Sequence, residues 1–134
     1  MTAIPRREFL WQALSACGAA ALVPAPTAGA VQAGAVDRAA ATSAGYLGGQ
    51  GGAARAVGEA YLRQLGRETT RESIVAAARG ALRIIDRSRT DADAIRALVR
   101  AVREDFERGR SVQIEGWILS RTEAELCALT LFDA

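Results

Sequence analysis

Apolar side chains recur at helical spacing along most of the chain from Ala53 onward. Val57, Tyr61, Leu62 and Leu65 share one face of a first helix, where Glu59 and Arg63 form a favourable i,i+4 pair, and Gly66 reads as its C-terminal cap. Thr69-Thr70-Arg71-Glu72 then has the form of a capping box, with Thr69 accepting from the next turn and Glu72 reaching back. The helix it opens carries Ile74, Val75, Ala78, Leu82 and Ile85 as its apolar face. Gly80 interrupts it. That glycine either weakens the helix by up to about 1 kcal/mol relative to Ala or admits a close neighbour, and the pattern supports both. Thr90-Asp91-Ala92-Asp93 repeats the capping idea, and Ile95, Leu98, Val99, Val102 and Phe106 follow at i, i+3, i+4, i+7 and i+11. Gly109 closes this third helix.

The period then changes from helical to alternating. Ser111–Ile114 and Trp117–Leu119 are short β-type runs around Glu115-Gly116, which predicts a two-residue hairpin loop. In that register Ile114 faces Trp117 and Val112 faces Leu119, so four large apolar side chains share a face while Gln113 and Ile118 point the other way. A lone hairpin is marginal in water, so this face is expected to pack, most simply on the Ile95–Phe106 helix. Ser120-Arg121-Thr122-Glu123 reads as a further capping box. It opens a last helix with Ala124, Cys127, Ala128 and Leu131 on one side, and Leu126 and Leu129 widening its apolar coverage. The expected fold is mainly α: a small bundle of three to four helices with a short C-terminal β-hairpin, occupying residues 53–134.

Composition sets what precedes and what is missing. Residues 31–52 are rich in Ala and Gly with few large apolar side chains, which reads as a disordered or weakly ordered linker with Tyr46 and Leu47 as its bulky anchors. Gly48-Gly49-Gln50-Gly51-Gly52 has no preceding strand and no Lys-Ser/Thr, so it reads as part of that linker rather than a phosphate loop. The 17 basic residues are all Arg and stand against 15 acids, with signs alternating as on solvated helices. A basic stripe interleaved with aromatics is not visible, and nucleic acid is set aside as a partner. The chain has no His and only two cysteines, which removes the usual acid–base group and leaves no expected metal or cofactor site. Cys127, within an apolar run, reads as a small packed hydrophobe. An enzyme is not expected. A small Asp/Glu hydrolase would need a cleft holding two carboxylates with displaced pKa values.

The first thirty residues point to an address. Pro5-Arg6-Arg7-Glu8-Phe9-Leu10 precedes a mildly apolar run from Trp11 to Val23, and Ala28-Gly29-Ala30 ends it as an Ala-x-Ala cleavage signal. The Arg6, Arg7, Phe9, Leu10 spacing resembles the twin-arginine (Tat) signal, whose pathway carries folded proteins across the inner membrane. An ordinary secretory signal is the alternative reading, since any positive start supports orientation. Leu14-Ser15-Ala16-Cys17-Gly18 also has the form of a lipobox, in which Cys17 would be lipidated and the protein held at a membrane. Cleavage after Ala30 releases the protein instead.

The segment from Asp105 to Leu129, with Gly116-Trp117-Ile118-Leu119-Ser120-Arg121-Thr122-Glu123 at its centre, resembles the C-terminal signature of small bacterial Tat-signal proteins of unassigned activity. The layout is also similar to the small subunits of periplasmic flavoprotein dehydrogenases of the gluconate/sorbitol type. This resemblance implies a periplasmic, non-catalytic accessory subunit that passes the Tat translocase and assists a larger exported redox partner. Trp117, Ile118 and Leu126 are the candidate docking residues, because Trp is enriched at binding hot spots; a core anchor is the other reading of Trp117. A free-standing periplasmic binding module or lipoprotein is the alternative function.

Overall fold

The structure, a computed structural model, describes residues 28–133. Among them are six α-helices and one two-stranded sheet: α1 Ala28–Tyr46, α2 Gly51–Gln64, α3 Arg71–Ala77, α4 Arg79–Arg87, α5 Asp91–Glu107, β1 Ser111–Ile114, β2 Trp117–Ser120 and α6 Arg121–Leu129, closed by a 3₁₀ turn at Thr130–Asp133. The mainly α architecture with a C-terminal hairpin is as the periodicity predicts.

The hub is α6. Every residue from Thr122 to Leu129 is buried, because α1 to α5 and the hairpin all pack around it. A helix enclosed on all sides needs apolar coverage beyond one stripe, which Leu126 and Leu129 supply. Its two glutamates are buried with it and need dedicated partners.

The segment 31–52 departs from the expected linker. Most of it is α1, which is Ala-rich, and Ala is the strongest helix former. Val36, Ala39, Ala40, Ser43 and Tyr46 lie on its buried face, and Leu47 just past its end is buried too. Small side chains there allow close approach to α6 rather than marking loose chain. Arg38 ties α1 to the start of α5, donating to Asp91 at 3.2 Å and to the Ser88 carbonyl at 3.1 Å. Gly48 and Gly49, both at positive φ, make the turn to α2, which begins at Gly51 rather than Ala53.

The predicted long second helix is broken at Ala78 into α3 and α4. Its cap is Thr70, accepting from the Ser73 N–H at 3.2 Å, not Thr69 with Glu72. Thr90 caps α5 through the Asp93 N–H at 3.1 Å, as expected. Gly66 and Gly109 both end their helices in the left-handed region. In each case the next residue's N–H returns five residues, from Arg67 to Leu62 at 2.9 Å and from Arg110 to Asp105 at 2.7 Å.

The hairpin has the anticipated register: Ile114 opposite Trp117, Gln113 opposite Ile118, Val112 opposite Leu119. Glu115 and Gly116 have φ of 49° and 85°, which makes a type I′ turn. The sheet packs against α2 and α6 as well as α5.

Candidate docking surface and the carboxylates behind it

The three candidate docking residues separate. Trp117 is 59% exposed and Ile118 is 55% exposed, although both sit on a paired strand. Leu126 is fully buried in the core and meets no surface, so it is not a docking residue. It fills the centre of α6, where removing its side chain costs about 2–5 kcal/mol.

Trp117 is therefore not the core anchor of the hairpin. Ile114, 1% exposed, performs that role from the position directly opposite it on β1. The hairpin's apolar face covers the core with Ile114, Val112 and Leu119, and Trp117 overhangs the edge next to the turn. Arg63 at the end of α2 reaches the turn residue Glu115 at 3.3 Å. Leu65, 45% exposed, lies at the C-terminal cap of α2.

Below the hairpin, the polar interior is built from three carboxylates that the sign alternation of the sequence hides. Glu123 closes the Ser120 capping box, accepting the Ser120 N–H at 2.7 Å while its own N–H donates to the Ser120 hydroxyl at 3.0 Å. Asp105, on the last turn of α5, accepts from the Thr122 N–H at 2.8 Å, the Thr122 hydroxyl at 2.7 Å and Arg110 Nε at 2.7 Å. Burial works against its charge, but the Thr122 and Arg110 hydrogen bonds outweigh that and hold its carboxyl below the usual range. Glu125 accepts the Ala81 N–H at 2.7 Å and pairs with Arg121 at 3.3 Å. For this residue burial wins, and its carboxyl is pushed up despite those partners.

Glu125 also explains Gly80 and the break at Ala78. A Cβ on Gly80 would stand 2.7 Å from a Glu125 oxygen, so glycine lets the carboxylate reach the first turn of α4. Close approach is the reading of that glycine which holds.

Asp105 and Glu125 border one shallow crevice of about 420 Å³ between α4, α5 and the start of α6. Their pKa values are displaced in opposite directions, as in an acid–base pair. Each, however, is engaged by backbone N–H groups and an arginine, the arrangement of a helix cap.

Cys127 is buried, and burial followed by the charge of Glu123 pushes its thiol up to about 12. It is protonated at neutral pH and is not a nucleophile, in keeping with a packed hydrophobe. The Tyr46 hydroxyl is raised by the same two influences and has no hydrogen-bond partner among the described residues. Among these residues no group of three His, Cys, Asp or Glu is placed to hold a metal, and no helix is long and apolar enough to cross a membrane.

Arg6, Arg7, Phe9, Leu10 and Cys17 lie outside the described residues. Ala28 and Ala30, the expected cleavage positions, are in the first turn of α1. Compared with protein-family models, curated proteins and solved structures, the chain matches none.

Proposed function

We propose that the protein is an exported, non-catalytic accessory subunit that docks a larger periplasmic partner, a redox enzyme, through the hairpin edge at Trp117 and Ile118. The observation that carries this reading is the exposure of Trp117: a large aromatic on a strand whose turn and register are set, with the core already closed beneath it by Ile114. Burying an exposed tryptophan is a strong source of binding energy, and a paired strand presents it at little entropic cost. The N-terminal segment supports the export part. Its Arg6-Arg7-x-Phe9-Leu10 pattern resembles a Tat signal, and the Ala28-Gly29-Ala30 site forms the start of α1, so cleavage after Ala30 removes that start and leaves residues 31–46 of the helix.

The test is affinity purification of the C-terminally tagged protein from the periplasm. Wild type is expected to bring a larger cofactor-bearing protein. Arg6→Lys/Arg7→Lys should remove both from the periplasm. Trp117→Ala should release the partner while shifting the unfolding free energy by less than about 0.5 kcal/mol. A chain that arrives alone, or a Trp117→Ala chain that keeps its partner, overturns the reading.

A further inference from the structure

Folding sorts the arginines in a way that their order along the chain conceals. Two shallow hollows of about 480 and 420 Å³ lie along α4 and α5 with Ile84 in the lining of both, a crevice in two parts. Eight of the 17 arginines line it, against four carboxylates, although the whole chain carries a net charge of only +2. On α4, Arg79, Arg83 and Arg87 recur every four residues, which places them about 6 Å apart along the axis. Arg100 faces them from α5. None of these four has an ion-pair or hydrogen-bond partner among the described residues.

Three of the four acids of the crevice are committed elsewhere, which leaves Glu104 as the one acid available to this row. Asp105 and Glu125 are buried and committed to their helix caps, and Asp93 is held by Thr90 and Arg96. At the α6 end, Arg110 is fixed through its Nε on Asp105, so the guanidinium is oriented before any ligand arrives.

We propose that this crevice is a docking site for an acidic, extended segment of a protein partner. Alternate side chains of an extended strand repeat at about 6.6–6.8 Å, close to the pitch of the α4 arginines, so carboxylates at every second position would meet successive guanidiniums. The floor between the arginines is Ile84, Ala97 and Ala101. No aromatic lines it, so it lacks the stacking platform by which single-stranded nucleic acid is held. The N-terminal residues 1–27 carry one acid, Glu8, against Arg6 and Arg7, and are not the complement. The inference rests on the accessory-subunit reading for its partner and adds a second contact surface, chemically unlike the hairpin edge.

The test uses the exported protein and fluorescein-labelled (Glu-Ser)₆, with (Lys-Ser)₆ and a 12-nucleotide oligo(dT) as controls, read by fluorescence anisotropy. The Glu peptide is expected to bind, and to weaken as salt is raised through about 0.15 M. Arg83→Glu/Arg100→Glu should weaken it by about tenfold or more while the variant unfolds no more readily than wild type. Equal binding of the Glu and Lys peptides, or equal affinity of the variant, overturns the proposal, as does tighter binding of oligo(dT). In the periplasmic purification, a partner kept undiminished by Arg83→Glu/Arg100→Glu overturns the crevice while the accessory reading stands. A wild-type chain that binds the Glu peptide but brings no partner supports the crevice and overturns the accessory reading.

Discussion

Asp105 and Glu125 are both buried acids that cap a neighbouring helix, yet they answer to pH in opposite senses. The Asp105 pKa is lowered from 3.8, so its stabilisation is present above that value and is lost as pH falls through the folded pKa. The Glu125 pKa is raised from 4.5, so its contribution is fully present below 4.5 and is lost as pH rises through the folded pKa. Asp105→Asn leaves Arg110 facing an amide and should cost about 3 kcal/mol near neutrality, a deficit that narrows below about pH 4. The deficit of Glu125→Gln should instead shrink as pH rises above 4.5 through the folded pKa. Urea unfolding from about pH 3 to 7 checks both signs.

At the scale of elements, two glycines in helices behave oppositely because of what lies over them. Gly58 sits where α2 crosses α6, and a Cβ there would run into the Cys127 carbonyl. Gly45, near the end of α1, has nothing within 4 Å of its would-be Cβ. Gly45→Ala should therefore stabilise the protein by about 0.5 kcal/mol through helix propensity alone. Gly58→Ala should destabilise it by about 2 kcal/mol, because backbone cannot yield as a side-chain tip can. Thermal unfolding of the two variants settles the contrast.

For the whole molecule, the arginine crevice makes stability depend on salt. Arg79, Arg83 and Arg87 repel one another along α4 and none has an ion-pair partner among the described residues. Arg83→Gln removes two like-charge neighbours and should raise the unfolding free energy by about 0.5 kcal/mol at low salt. The gap to wild type should close at about 0.5 M salt, where the screening length is a few ångströms. The same concentration of charge is what makes the crevice a ligand surface. A charge alternation that looks like an evenly solvated coat becomes, once α4 and α5 lie side by side, a face on which arginines outnumber acids eight to four.

Local physics is legible without any fold. Period, caps and turn chemistry place α2, α5, the hairpin with its register and α6 with its Ser120–Glu123 box, because each depends on residues within a few positions of one another. What depends on distant chain is not legible. Residues 31–46 look like a linker until α6 offers Ala39, Ser43 and Tyr46 a surface to pack on. Gly80 looks like a defect until Glu125, 45 residues later, caps α4 through it. Leu126 and Trp117 are both large and apolar in sequence. Only the enclosure of α6 and the overhang of the hairpin edge make the first a core residue and the second a surface. Sequence by itself determined α2, α5, the hairpin and α6, and the export-like pattern of the first thirty residues. Tertiary structure decided which charges are buried, which apolar groups are left to solvent and where the arginines converge, because burial and field are properties of packed neighbours rather than of order along a chain.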